Sequence, residues 1–316
     1  MKIKPGLTDF LWMAAGALVL LAVMLAVMHF HTNESPAEQV VFKARRVDLV
    51  ERMRLALASA SEAEKSAVMA VTDQDSQNYA DQARASTAEV EQGRKELEEL
   101  LKASGSQREK DFLSQFSKGF TEFQNIDRDL LALAVKNTNL KAYNLAFGPA
   151  ADALKDMDTV LSRLVAKSAS SPQARDVALL AFGAQTAALR IQTLLAPHIA
   201  EESDKKMDEL EAQMTKDDQE VHKDLDGLTR PQNPGGDPDL ATAVADYASF
   251  TKVRTQILAL SRENTNVRSL AISLDQKRKV MFVCQDALAG LQQAILEESI
   301  AGVDYGLPSG PRQLGH

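Results

Sequence analysis

The sequence predicts an all-α protein, and three observations carry that prediction. Gly and Pro are scarce, with 15 and 10 among 316 residues. Aromatics make up only 5%, little for a β-rich core, while Ala, Leu, Glu, Lys, Gln and Asp dominate. Most of these side chains keep much of their rotamer freedom in a helix. Finally, from Glu38 onward apolar residues recur mostly at i, i+3, i+4 and i+7, the period of a helix with one buried face.

The first element is a predicted membrane helix. Phe10 to Phe30 reads FLWMAAGALVLLAVMLAVMHF, with His29 its only titratable side chain. About 20 apolar residues span a bilayer as a helix. Trp12 stands near one edge, Lys2 and Lys4 precede the span, and Glu34 and Glu38 follow it. The positive-inside rule then expects residues 1–9 in the cytoplasm and the bulk of the chain outside the inner membrane, as a single-pass periplasmic protein. The competing reading is a cleaved signal peptide, which has a shorter apolar region and a small-residue cleavage site. HFHTNESPAE offers no good site.

Breaks divide the remainder. Thr72 to Asp75 reads as a capped turn, and Ser104-Gly105-Ser106 as a clear interruption. Phe147-Gly148-Pro149 ends one helix and starts another, since Pro suits the first helical position. Ser168 to Pro172 reads as a linker, and Thr229 to Asp239 as the strongest loop. Residues 302–316 are Gly/Pro-rich and expected to be disordered.

A duplication organises these segments. A displacement of 127 carries Asn137-Thr138-Asn139 onto Asn264-Thr265-Asn266. The same displacement carries Phe123 onto Phe250, Leu130 onto Ile257, Leu154 onto Met281, Leu161 onto Leu288 and Leu164 onto Leu291. Two antiparallel four-helix bundles are therefore expected, at 36–168 and 172–301. Four helices return a chain to its starting end, which predicts bundles lying side by side. A continuous helix across 149–196 would instead stack them end to end.

In the first repeat Phe123, Ile126, Leu130, Leu133, Asn137, Leu140, Asn144 and Phe147 follow alternating steps of three and four, a coiled-coil seam. Asn137 and Asn264 thus fall at core-phase positions, where an unpaired amide is costly. Each either fixes helix register or lines a small polar pocket. Arg54, Arg128, Arg190 and Arg254 lie on long helices and could offer guanidinium forks to a carboxylate; an ordinary solvated ion pair is the plainer reading.

Other chemistry finds little support. A net charge of −8 without a basic stripe gives no nucleic-acid signature. The single cysteine, Cys284, admits no internal disulfide and no Cys-rich zinc site, and its spacing from Met281, Leu288 and Leu291 is that of a core residue. There is no Gly-rich phosphate loop, HExxH or GxSxG. The five histidines form no ligand pair at helical spacing. No enzyme activity, metal or cofactor is expected.

The stretches LALAVKNTNLKAYNLAFGPA, LALSRENTNVRSLAISL and EKSAVMAVTDQDSQNYADQARAS resemble the four-helix-bundle ligand-binding domain of methyl-accepting chemotaxis receptors. That resemblance spans most of residues 40–300 and rests on helix phase and polar anchors. It implies a sensor module that binds a small molecule, with arginines at a subunit interface where the ligand is a carboxylate. This sequence departs from receptors in lacking a second span and the signalling helices beyond it. Signal would pass to a membrane-protein partner or through a homo-oligomer. The rival expectation is a structural or adaptor protein, a tethered spacer in an envelope complex.

Overall fold

A computed structural model describes residues 35–229 and 237–299, together with Ala22 and Met24. The predicted membrane helix at 10–30 lies outside the described residues but for those two, as does the tail from 302. The described residues are helical and contain no strand. In chain order the helices are α1 (Pro36–Met69), α2 (Asp73–Ser104), α3 (Gln107–Ala134), α4 (Thr138–Phe147), α5 (Pro149–Ser168), α6 (Ala174–Ala200), α7 (Asp204–Thr229), α8 (Pro238–Glu263), α9 (Thr265–Ile272) and α10 (Arg278–Glu297). A single π turn, Ser273–Lys277, joins the last two.

Local chemistry sets most of these ends. Ser35 and Glu38 form a reciprocal capping box ahead of α1, and Ser106 and Glu109 form another ahead of α3. The Thr72 hydroxyl accepts from the Asp75 amide at the start of α2. Pro149 and Pro238 occupy the first turns of α5 and α8, where a missing N–H costs nothing.

Two rings of four helices result. In bundle 1, α1 packs on α2, α2 on α3, α3 on α10, and α10 back on α1. Its core joins Leu49, Met53 and Leu57 to Phe116, Phe120, Phe123, Cys284, Leu288 and Leu291. The three phenylalanines stack at 5.4 and 5.8 Å between ring centroids. In bundle 2, α5 packs on α6, α6 on α7, α7 on α8, and α8 back on α5. Leu154, Met157 and Leu161 there join Ile191, Val221, Phe250 and Ile257 in one core.

The bundles therefore do not follow the repeats, and the expected division at 168/172 is corrected. The fourth helix of each repeat has changed places. α5, from the first repeat, completes the bundle of the second, while α10 completes the bundle of the first. The side-by-side arrangement is corrected with it. At one end of the molecule Arg108 and Arg46 meet Glu297 and Glu298. At the other, Arg163 and Lys167 meet Asp239. The two Asn-Thr-Asn triplets lie between, so the bundles stack end to end, and α3–α4–α5 and α8–α9–α10 run through both.

The seam also needs correction. Asn137 and Asn264 are the only non-glycine residues with positive φ among those described, at 51° and 52°. A left-handed residue ends one helix and starts the next in a new phase. Beyond the triplet, itself buried, the buried side chains up to Ala150 are Ala142, Ala146 and Ala150, whereas Asn144 and Phe147 are exposed.

Candidate functional site: the polar junction between the bundles

Each triplet supplies the hydrogen bonds that the other lacks. The Thr138 amide donates to the Thr265 hydroxyl at 3.2 Å, and the Thr265 amide to the Thr138 hydroxyl at 3.1 Å. The Asn139 and Asn266 amides donate to each other's side-chain oxygens at 3.2 and 3.1 Å. Asn139 Nδ2 donates to Asn264 Oδ1 at 2.7 Å, and Asn266 Nδ2 to Asn137 Oδ1 at 3.0 Å. These pairs relate the two halves by an approximate two-fold. They satisfy the first amides of α4 and α9, which have no partner within their own helices.

Asn137 and Asn264 accordingly hold the halves together and line none of the clefts described below. The predicted arginines are dispersed. Arg54 pairs with Glu51 and with Gln292 of α10 on an exposed face. Arg128 meets its neighbour Asp129 in solvent. Arg190 is bound by Asp217 and Glu220 of α7. Arg254 lies 2.9 Å from Asp218 and above the Phe250 ring. No two of the four converge on one cleft.

Two buried clusters flank the junction. On the bundle 2 side His198, fully buried, contacts Ser261 Oγ through Nδ1 and Glu211 through Nε2, both at 2.8 Å. Burial would push the Glu211 carboxyl up, but Arg262, with His198, holds it below the usual carboxylate range. On the bundle 1 side Lys277 of the π turn pairs with Asp127 and lies 3.5 Å from the centroid of the Phe123 ring. Glu64 is buried beside them. Burial likewise pushes the Cys284 thiol up to about 12.

Sequence reasoning missed this second cluster, although a signal was present. Glu64 follows Leu57 and Ala60 at core spacing. Asp127 stands between Phe123 and Leu130, one position from the seam residue Ile126.

Among the clefts of bundle 2, two adjoin α5. One of about 330 Å³ between α5 and α6 is lined by Leu154, Met157, Ala188, Leu189, Gln185 and Gln192. Another of about 610 Å³ lies at the outer end, among Leu164, Lys167, Val177, Leu228 and Leu240. Among the described residues no cluster of three or more His, Cys, Asp or Glu is disposed to hold a metal. Among the described residues one helix, Ala174–Ala200, is long and apolar enough to cross a membrane by length and composition, and 39% of its most apolar window is buried in the protein. No family model matches the chain, and no curated protein is detectably similar to it in sequence.

Proposed function

We propose that the chain is a sensor-like module tethered to the inner membrane through residues 10–30. It would stand outside the cytoplasm, without enzyme activity, and answer to a small molecule or a membrane partner. What supports this reading is the base of bundle 1. There α1, which follows the tether in sequence, and α10 lie side by side and are tied together. Lys43 donates to the carbonyls of Leu296 and Glu298, at 2.8 and 2.7 Å. Arg46 bridges the buried Glu109 and Glu298. Any shift of the rod α8–α9–α10 reaches that base as motion of α10 against α1, where a membrane partner can read it.

The test is a thermal-shift screen of the full chain in detergent against small acids, amines and aromatics. A ligand at a hundred times its Kd adds about 2.7 kcal/mol to stability. A hit whose effect is lost on substituting Gln192 or Lys167, in the two clefts, supports the reading. No hit in a broad library refutes the small-molecule form.

A specific observation favours the adaptor as a second reading. Leu179, Phe182 and Leu189 on α6 are 61%, 55% and 57% exposed and follow helical spacing with Thr186. The positions 127 earlier on α1 are Arg52, Leu55 and Glu62, so the first repeat has a mostly polar face there. An apolar stripe of this kind suits a protein partner. Changing all three residues to Gln should abolish partner capture without lowering the melting temperature; unchanged capture sinks this reading.

A further inference from the structure

The two bundles, equivalent by repeat, differ sharply at one place. In bundle 1 Glu64, Ser273 and Lys277 are buried around Asp127. In bundle 2 the positions related by 127 to the first three are Ile191, Ala146 and Ala150, all fully buried and apolar. Burial of α1 and α6 matches in that register, since Val50, Leu57, Ala60 and Val68 correspond to Val177, Ala184, Ala187 and Leu195. At the position of Asp127 bundle 2 carries Arg254, paired with Asp218 over the Phe250 ring, so the same scaffold keeps an ion pair there but closes with apolar side chains in place of Glu64, Ser273 and Lys277. Buried ions are usually no more stabilising than well-packed apolar residues of similar volume. Packing gives no reason for the charges of Glu64 and Lys277.

The cluster is also incompletely satisfied. Lys277 and Asp127 are paired, but neither oxygen of Glu64 makes a well-formed hydrogen bond, and the neighbouring Ser273 hydroxyl, a donor near it, makes none either. Ser273 and Lys277 are the first and last residues of the π turn, the one π element among the described helices. π turns often mark functional positions. The first repeat handles the corresponding stretch differently, with a break at Gly148-Pro149.

We propose that Glu64, Asp127, Ser273 and Lys277 form a proton-binding site that governs whether the π turn holds its place in the long rod of bundle 1. With a proton on Glu64, the Lys277 ammonium is left to Asp127 and the turn is closed as described. When the proton leaves, two carboxylates compete for one ammonium, and the unsolvated Glu64 charge favours opening of the turn to water. The groups facing Glu64 support this. Asp127 comes from α3, Lys277 from the π turn, and Lys65 follows on α1 itself. The buried residues of α2 (Ser76, Ala80, Ala83 and Val90 among them) do not ionise, nor do Thr265 and Ser269 of α9. Cys284 of α10, beside Lys277, stays a neutral thiol. Burial holds the Glu64 carboxyl above its ordinary range, and Asp127 adds to the effect, against Ser273 and Lys277. The site needs no ligand beyond the proton, so it stands or falls separately from the reading above.

The test is hydrogen exchange by mass spectrometry on the full chain in detergent, from about pH 4.5 to about pH 9, corrected for intrinsic exchange rates. In the natural protein, opening of the segment 270–282 should rise by up to about tenfold per pH unit until Glu64 is ionised in the closed form. The equivalent segment 143–155 should stay flat. Glu64→Gln, which cannot ionise, should be flat in both segments. Glu64→Ile places in bundle 1 the residue bundle 2 already uses and should be flat too, which keeps the test open if the Gln variant folds poorly. A pH-independent natural segment overturns the proposal by itself. So does a Gln or Ile variant that follows the natural profile, or a melting temperature that shifts with pH while 270–282 does not respond.

Discussion

Asn264 offers the sharpest test of how the halves are joined. Its side chain accepts from Asn139 Nδ2 and donates to the Glu201 carbonyl, both at 2.7 Å, while its backbone sits at φ 52°. Replacing it with Ala removes both hydrogen bonds, worth about 1 kcal/mol each. It also forces a Cβ-bearing residue without a polar side chain into the left-handed region, at about 1 kcal/mol. The expected loss is about 3 kcal/mol. Gly loses the same hydrogen bonds but tolerates the backbone, so Asn264→Gly should cost about 2 kcal/mol. Asn137→Ala should fall nearer 2 kcal/mol, because one of its partners, Asp73, is largely exposed and its contact is weak. Urea unfolding followed by far-UV circular dichroism would measure all three. A loss below about 1 kcal/mol for Asn264→Ala, or a Gly variant weaker than the Ala variant, would refute the reasoning.

Three further outcomes are expected. Arg46→Met should destabilise by about 3–5 kcal/mol in a thermal melt, because it leaves Glu109 buried without its ion partner. The Glu211 carboxyl is held below its ordinary range, so its contribution is present above the unfolded value near pH 4.5 and is lost as pH falls through the folded one. Glu211→Gln should therefore lower the melting temperature at neutral pH, with the difference closing as the pH falls below the folded-state value. Cys284, buried with its thiol raised to about 12, should resist a thiol reagent in the native protein and react at the rate of unfolding.

The helical class and most helix boundaries were legible in the sequence because they rest on local chemistry. Ser106 and Glu109 cap a helix whatever packs around them, and Gly148-Pro149 interrupts one. The duplication was legible for a similar reason, since apolar phase repeats over tens of residues. What could not be read was which copy of a helix packs with which. α5 and α10 present nearly interchangeable apolar faces, with Leu154 and Leu161 matching Met281 and Leu288. The decision lies in Asn137 and Asn264, whose left-handed backbone sends each rod onward instead of back. That conformation also shifted the seam, so Ala142 and Ala146 are buried where periodicity had placed Leu140 and Asn144. Glu64 and Asp127 escaped notice because charged residues on a helix are ordinarily taken as solvated.

The exchange of fourth helices is the claim on which the rest depends, and one engineered cross-link addresses it. A Cβ built on Gly119 of α3 would lie 3.3 Å from Cys284 Sγ of α10, close to disulfide geometry. Asp246, displaced by 127 from Gly119, is the equivalent position on α8. Under mild oxidation Gly119→Cys should form an intrachain bond to the native Cys284 and lose both free thiols as a monomer, whereas Asp246→Cys should retain them. A bond from residue 246 to Cys284, with none from residue 119, would mean that each repeat closes on itself and that the exchanged architecture is wrong.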